Sequence, residues 1–570
     1  MTDRNPAATP ERSPLAPGFL PHLRFDLIAG FLVFLIAMPL CLAIARASGF
    51  PPIAGIWTAV VGGIVCTLLS NSELTIKGPA AGLIVIVYGA VTELGNAYGA
   101  ELPEAERALL GYRLALGIGV CAGIVQIVFG LVRAGRLVDW FPLTPVHGML
   151  ASIGITIIAK ECYQVLGATA QSGAKPIELL LQLPAAILRM NPEIAVIGLV
   201  SLCVMFGLPL LRSPWIKRVP AQLIVLVIAV ALGLFFDLEH QHTYLFPSAF
   251  FDSEHPAVYE VGPRFLVEMP EVLKNPAAAF AFPDFRGVAT GLGVKYLILF
   301  TLIGALESLL SAKAIELLDP WKRKTNFDRD LLAVGVANTL STFLGGLPMI
   351  SEIVRSSANI NNGARTRMAN CYHGLFLLIF VLLVPNLIHQ IPLAALGAML
   401  VYTGFRLASP GEFLRTYRIG TEQFAVFLVT IVTTLATDLL VGIAVGIGLE
   451  LALQLWHGVP LRRLFISDIE VLPEGERVVI LTIKKAAVFS NWLGVRRVIL
   501  AEAKDREEVI VDLSETCLVD HSVMEKLHLL EHEFAREGKQ LTIKGLDEHV
   551  PQSTHPLAGR RRLAPVAQES

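Results

Sequence analysis

The chain of 570 residues is 54% hydrophobic and only 16% charged, whereas an average soluble domain carries about 25% charged residues. Its formal net charge of −2 excludes the strongly basic surface that nucleic-acid binding needs, so no nucleic-acid partner is predicted. The seven cysteines form no CxxC pair, and no nucleophile–base or metal-ligand arrangement stands out, which argues against an enzyme and against a resident cofactor. Much of the chain is therefore predicted to face lipid.

Polar residues and prolines fill the first segment, 1–22, which is predicted to be a disordered cytoplasmic tail rather than a cleavable signal. The following part, 23–460, is predicted to be a transmembrane domain, because it holds about fourteen apolar runs and a spanning helix needs about 20 such residues. The runs are 26–45, 53–70, 79–94, 112–132, 145–159, 193–211, 219–236, 288–312, 330–345, 349–360, 372–389, 392–405, 421–437 and 439–456.

Charges between the runs follow the positive-inside pattern. The loops assigned to the inside hold Arg133, Arg136, Arg212, Lys217, Arg218, Lys322, Arg323, Lys324, Arg365, Arg367, Arg406, Arg415, Arg418, Arg462 and Arg463. The loops assigned to the outside hold Glu101, Glu104, Glu106, Asp237, Glu239, Asp252, Glu254, Glu260, Glu268 and Glu271. This alternation predicts a multi-pass protein of the cell membrane with both ends in the cytoplasm.

The third and tenth runs are too short for full spans, and both begin with a Gly/Pro break. Gly78 and Pro79 open the third run, and the segment 345–348 opens the tenth. Each is the third run in a group of seven. Because seven spans is an odd number, the second group starts on the opposite side of the membrane and must be inverted relative to the first. Paired breaks of this kind predict a midplane site between two half-helix starts, whose free N–H groups favour an anion. Ordinary helix kinks are the alternative.

After Pro460 the composition becomes that of a soluble domain. Strand patterns at 467–483, 509–513 and 541–543 alternate with a helical pattern at 521–536. The segment 461–550 is therefore predicted to be a small cytoplasmic α/β domain, followed by a disordered tail at 551–570.

Four motifs, at 26–40, 78–82, 303–311 and 359–366, occur in the order found in the SulP (sulfate permease, solute carrier 26-like) family of anion transporters, which the chain resembles over 24–550. The resemblance implies a seven-plus-seven inverted repeat, as in prestin and the bicarbonate carriers, with a core domain that moves against a gate domain. It also implies a C-terminal STAS domain and a homodimer. Known relatives carry sulfate, bicarbonate, chloride, oxalate or dicarboxylates.

When the family's site residues are transferred to the matching positions, the resemblance puts the anion between the starts of the third and tenth spans. The residues expected to bind it are Lys77, Gly78, Pro79, Ala80, Ala81, Met349, Ile350, Ser351 and Arg355. The family's eighth-span carboxylate falls on Glu307. In sodium-coupled bicarbonate carriers a hydroxyl one turn later helps to bind the cation, and here that position is Ser311. Coupling to sodium or to protons is left open, and no other metal site is predicted.

The residues leave three roles open. Lys77 either attracts the anion or neutralises Glu307 or Glu352, and Arg355 either serves the site or pairs with Glu352. Glu307 acts in coupling or gating, or is a structural partner of Lys77 or Arg355. In the STAS domain Asp520 is predicted to cap a helix, in preference to a phosphorylation switch.

Together these features predict a secondary active transporter of a small inorganic anion, sulfate or bicarbonate, with elevator-type alternating access implied by the resemblance. The alternatives are an anion channel or exchanger on the same fold, a dicarboxylate carrier, and a membrane-anchored signalling protein whose STAS domain carries the function. The expected partners are the anion, membrane lipid, a second copy of the chain and cytoplasmic regulators of the STAS domain.

Overall fold

A computed structural model describes residues 18–135, 142–171, 174–211, 220–246, 257–270 and 272–562 of the chain. Two compact units divide it: Met1–Gly135 with Thr156–Phe405, and Arg136–Ile155 with Arg406–Ser570. Most of the predicted N-terminal tail lies outside the described residues. The same holds for the loop residues Arg136, Arg212, Lys217, Arg218, Asp252, Glu254 and Glu271.

The first half of the membrane part contains eight helices and one short strand among the described residues. In chain order they are α1 (Leu23–Ala47), α2 (Pro52–Leu69), β1 (Ile76–Pro79), α3 (Ile84–Tyr98), α4 (Glu104–Leu131), α5 (Leu143–Val165), α6 (Pro176–Leu188), α7 (Pro192–Gly207) and α8 (Ala221–Phe235). An antiparallel pair, β2 (His242–Phe246) and β3 (Ala257–Val261), follows.

The second half repeats this order of long helices around a short strand. Its elements are α9 (Gly291–Leu318), α10 (Phe327–Phe343), β4 (Met349–Glu352), α11 (Ile353–Asn361), α12 (Met368–Leu383), α13 (Pro385–His389), α14 (Leu393–Leu407), α15 (Pro410–Ile419), α16 (Thr421–Ala436) and α17 (Leu439–Trp456). Within the described ranges, nine helices are long and apolar enough to cross a membrane, and four shorter ones are also apolar. The prediction of a polytopic helical membrane protein is confirmed.

Glycines of α4 allow close packing against α10 in the first unit. A Cβ atom at Gly119 would lie 2.6 Å from Cγ2 of Thr342, and one at Gly123 would lie 2.6 Å from the backbone nitrogen of Thr339. No larger side chain fits at such distances, so the two helices approach through small residues, as membrane helices commonly do. These glycines are therefore packing positions within α4.

The C-terminal part of the second unit is an α/β domain. Its elements are α18 (Leu461–Phe465), β5 (Asp468–Glu474), β6 (Val478–Ala487), α19 (Trp492–Glu502), β7 (Glu508–Asp512), β8 (Thr516–Val519), α20 (His521–Arg536), β9 (Gln540–Lys544), β10 (His549–Pro551) and β11 (Arg560–Arg562). The sheet order is β10-β11-β8-β6-β7-β9, with β5 paired to β6. Parallel pairing of β6 with β7 and β8, and of β7 with β9, gives the small α/β fold that was predicted.

For the α/β domain, the structure confirms one detailed prediction and contradicts another. Asp520 is confirmed as a helix cap, because its side chain accepts a hydrogen bond of 2.8 Å from the backbone N–H of Val523. The prediction that disorder begins at residue 551 is wrong, because β11 pairs with β8 through Arg560 opposite Val519 and Arg561 opposite Leu518. Backbone pairing needs no particular side chains, so the composition of this segment did not indicate it. Residues from 563 onward lie outside the described part.

A truncation after Pro460 tests whether the α/β domain is a separable unit. Leu451 of α17 packs against a buried cluster of the second unit that includes Val459, Val488 and Leu518. The shortened chain should keep its helices but melt at a lower temperature, because each apolar side chain that loses its cover forfeits up to about 1.5–3 kcal/mol. Thermal melting of both chains in the same detergent measures this. An unchanged melting temperature would show that these contacts contribute nothing to stability.

Candidate functional site

The two Gly/Pro breaks form a two-stranded sheet within the first unit. β1 and β4 are each four residues long and pair antiparallel. The register places opposite each other Ile76 and Glu352, Lys77 and Ser351, Gly78 and Ile350, and Pro79 and Met349. Residues predicted for one anion site from two distant segments are thus brought together. Antiparallel pairing is also what two inverted halves require.

Helical structure begins later than the sequence predicted at both breaks. A 3-10 turn starts at Ala81 before α3, and α11 starts at Ile353, so the expected helix starts at 79 and 349 are wrong in detail. The reason is that extended segments at membrane depth satisfy their backbone groups by pairing with each other. Neither Ala80 nor Glu352, the residues preceding the two helical starts, makes a side-chain capping hydrogen bond. Helix-start N–H groups therefore flank both ends of the short sheet.

Lys77 is buried, with 1% of its surface exposed, and its charge is matched by a residue that the sequence analysis missed. Its Nζ atom lies 2.7 and 2.8 Å from the two carboxylate oxygens of Asp330, at the start of α10. The same atom donates a hydrogen bond of 2.5 Å to Oγ of Ser351 on the opposite strand. The predicted partners Glu307 and Glu352 are therefore replaced by Asp330, and Lys77 links the two strands.

Arg355 lies under β1 and is also 1% exposed. A Cβ atom at Gly78 would lie 2.3 Å from its Nη1 atom, so the guanidinium lies close against the backbone of β1. Its hydrogen bonds are long, at 3.5 Å to the carbonyl of Pro79 and 3.6 Å to Sγ of Cys41. The predicted ion pair with Glu352 is not found among the described residues. The guanidinium group thus makes no salt bridge among the described residues, although it interacts electrostatically with the carboxylate of Glu352.

Glu307 of α9 is a buried carboxylate, 7% exposed, and neither of its oxygens has a hydrogen-bond partner in the described part of the chain. A Cβ atom at Gly82 would lie 1.9 Å from its Oε1 atom, which places the carboxylate against the turn that opens α3. Ser311 is buried one turn later on α9. The structural partnership considered for Glu307 with Lys77 or Arg355 is not found among the described residues. Glu307 is therefore an uncompensated acid beside the predicted anion site.

Polar side chains from three neighbouring helices fix the strands. The backbone N–H of Met349 donates to Oδ1 of Asn338 at 2.6 Å, and that of Lys77 donates to Oδ1 of Asn370 at 3.0 Å. Ser308 of α9 accepts a third bond, of 3.2 Å, from the backbone of β4. No site role was predicted for these residues from the sequence. Their single polar groups in apolar runs were the available signal, since buried polar groups in membranes need partners.

Two of the motifs behind the family resemblance contact each other. Oδ1 of Asp26, in the first motif, accepts hydrogen bonds from the backbone N–H groups of Arg365 and Thr366 at 2.7 and 3.0 Å. Its Oδ2 accepts a bond of 2.6 Å from the hydroxyl of Thr366. Asp26 is fully buried, so these three bonds hold the start of α1 to the loop after α11.

The fold and the site define a class of protein: a polytopic membrane protein of two halves, whose broken third and tenth spans meet, with an appended α/β domain. Residues 23–430 match the sulfate permease family, and the chain belongs to that family. A putative sulfate transporter of Bacillus subtilis, YvdB, is 26% identical over 71% of this chain and 69% of its own length. The bicarbonate transporter BicA of Picosynechococcus sp. is 24% identical over 72% of this chain and 67% of its own length.

Solved structures share the fold. The transmembrane domain of a cyanobacterial bicarbonate transporter, BicA, superposes with a TM-score of 0.60 at 23% identity, over 74% of this chain and 97% of that one. SLC26A9 superposes with a TM-score of 0.66 at 14% identity, over 93% of this chain and 85% of that one. These likenesses confirm the predicted fold class, including the C-terminal α/β domain.

Proposed function

We propose that the protein is a secondary active transporter that carries a small inorganic anion, sulfate or bicarbonate, across the cell membrane. Membership of the sulfate permease family supports anion transport, and relatives named above are a putative sulfate transporter and a bicarbonate transporter. The observation that carries the proposal is the paired β1–β4 site, where Arg355 is buried and makes no salt bridge among the described residues. The helix starts at the two ends of the short sheet add partial positive charge.

Each group at this site has a distinct role in the proposal. Helix-start N–H groups beside the strands bind the anion's oxygens, apart from that of Ala81, which donates to the carboxylate of Glu352. The guanidinium of Arg355 balances the anion's charge. Lys77, already neutralised by Asp330, orients Ser351 instead of contacting the anion. In this proposal Arg355 and the helix-start N–H groups bind the anion, whereas Lys77 positions Ser351. Substitutions can therefore distinguish the two roles.

Glu307 is proposed to carry or balance the driving cation, with Ser311 as a second ligand. An unpaired buried carboxylate at membrane depth is energetically costly, and such residues commonly mark ion pathways. Binding of sodium or a proton would neutralise it beside the anion site. Movement of a core domain against a gate domain would then carry both ions across, as in an elevator mechanism.

The orientation and assembly are part of the same proposal. Basic loops, among them 322–324, are placed in the cytoplasm with both ends of the chain. The protein is proposed to act as a homodimer in lipid, with cytoplasmic regulators binding the α/β domain.

Reconstitution tests the transport proposal directly. Proteoliposomes containing the full chain should accumulate labelled sulfate or bicarbonate above the outside concentration when a sodium or proton gradient is imposed. The control is the same vesicle with the gradient collapsed by an ionophore. Flux that only ever runs down the anion's own gradient would contradict secondary active transport and favour a channel.

Added negative charge should abolish uptake at the β1–β4 site. Ala80 and Ser351 are buried, so a carboxylate there is close to the anion and poorly screened. Repulsion between unit charges 4 Å apart is about 4 kcal/mol at an effective dielectric constant of 20. Uptake by Ala80→Asp or Ser351→Asp should therefore fall by about a thousandfold.

The matched controls for these variants are Ala80→Asn and Ser351→Asn, which add the same volume without the charge. Both should transport better than their Asp counterparts at equal expression and melting temperature. Normal uptake by both Asp variants would remove the anion from this location. Equal loss in the Asn and Asp variants would assign the effect to size.

A further inference from the structure

A polar cavity of about 180 Å³ lies within the first unit. It opens between the last turn of α1, the C-terminal part of α5 and the first turns of α14. Its polar lining includes Arg46, Lys160, Glu161 and Gln164, and none of its lining residues belongs to the β1–β4 site. Charged side chains of both signs around one cavity in the membrane part indicate a functional site, because such groups are costly there.

Lys160 is held by neutral partners. Its Nζ atom donates a hydrogen bond of 2.9 Å to the carbonyl of Ala47, at the end of α1. The same atom lies 3.2 Å from the centroid of the Tyr88 ring. A carbonyl and an aromatic face orient an ammonium group without cancelling its charge.

Among the residues that line the cavity, the positive charges of Arg46 and Lys160 outnumber the negative charge of Glu161. Nη1 of Arg46 has no hydrogen-bond partner among the described residues. In the same part of the chain, Glu161 makes no salt bridge to Arg46 or to Lys160, although it interacts electrostatically with both. Glu268 also acts on Arg46, but it does not line the cavity. Two cations and one anion are thus held around a shared space instead of closing it as an ion-pair network.

We infer that this cavity binds a small inorganic oxyanion. Lys160 and Arg46 contact its oxygens, and the amide of Gln164 donates a hydrogen bond. In the proposed orientation the ends of α1 and α5 and the start of α14 all lie on the outer side, so the cavity is a capture site for anions arriving from outside. This inference rests on the proposed function for the side and for the identity of the anion.

A structural role for the same residues makes a different prediction. If Lys160 and Arg46 only stabilise the C-terminal end of α1, then losing either charge lowers stability and leaves the affinity for anions unchanged. If the cavity binds an anion, the sign of each charge decides the effect. Removing a cation weakens binding, whereas removing the charge of Glu161 strengthens it.

The test uses the full chain in intact cells and in inside-out membrane vesicles, with labelled sulfate and labelled bicarbonate as probes. Arg46→Gln and Lys160→Gln should raise the KM for uptake from the outer face about tenfold or more, and Glu161→Gln should lower it severalfold. The KM measured from the inner face should not change. Lys295→Gln is the matched control, because Lys295 lies near the start of α9, on the same proposed side, and does not line the cavity.

The results separate this inference from the proposed function. Wild-type transport with an unchanged outer KM in all three variants would overturn the capture site, as would a KM that shifts in the same direction in all three. If the wild type transports neither probe, the proposed function fails. Anion binding at the cavity is then measured by the melting temperature in detergent. A sulfate- or bicarbonate-dependent rise in melting temperature that disappears in Arg46→Gln and Lys160→Gln would support it. A rise retained in both variants would overturn it.

Discussion

Replacing Asp330 by Asn is expected to destabilise the membrane part by about 3–5 kcal/mol, because it leaves Lys77 as a buried cation without its partner. Both side chains are almost fully buried, at 1% and 0% exposure, and the shortest distance between them is 2.7 Å. Uptake should fall with stability, because Lys77 also bonds to Ser351 of the site. Melting temperature in detergent and initial uptake rate, measured on one preparation, give the two readings.

A double variant supplies the control for this prediction. Lys77→Met with Asp330→Leu removes both charges and keeps apolar volume, so most of the lost stability should return. Uptake should recover less than stability, because Ser351 would no longer be oriented by Lys77. If Asp330→Asn melts like the wild type, the pair does not stabilise the strands.

The second large effect is expected at Glu307. Glu307→Gln keeps the size and removes the charge, and it should abolish accumulation driven by a sodium or proton gradient while anion exchange continues. Stability should not fall, because neither carboxylate oxygen has a hydrogen-bond partner to lose among the described residues. Counterflow, gradient-driven uptake and melting temperature on one preparation distinguish a coupling role from a structural one.

Glu316→Gln is the comparison for that experiment. Glu316 lies further along the same helix, where its carboxylate accepts a hydrogen bond from the backbone N–H of Thr325, which glutamine can also accept. This variant should couple normally. Accumulation retained by Glu307→Gln under both gradients would rule out the coupling role, and a lowered melting temperature would restore the structural alternative.

Local patterns in the sequence indicated several residues of the candidate site. The Gly/Pro breaks marked the segments that meet, and the carboxylate in an apolar run marked Glu307. The pairing of the breaks as strands was missed, because a four-residue extended segment in apolar sequence has the same pattern as the start of a helix. β11 was missed for a related reason, since three arginines resemble a solvated tail.

Contacts between residues far apart in the sequence could not be predicted from local patterns. Lys77 and Asp330 are separated by 253 positions, and hydropathy carries no information about which buried acid meets which buried base. Arg46 and Lys160 presented the same difficulty, because cations near helix ends usually interact with the helix terminus or the membrane surface. Only the packing of α1, α5 and α14 brings them to one cavity.

Main-chain pairing between β1 and β4 fixes the distance between the two breaks at which the anion is proposed to bind. Neighbouring strands in a sheet lie about 4.8 Å apart, so the spacing between the two breaks is set by the backbone rather than by side-chain size. A one-residue insertion in either strand would turn Lys77 or Ser351 to the opposite face. The two strands are therefore expected to keep matching lengths. If the anion binds here as proposed, a change of preferred anion has to come from side chains at the strand ends, such as Ala80, while the backbone frame stays constant.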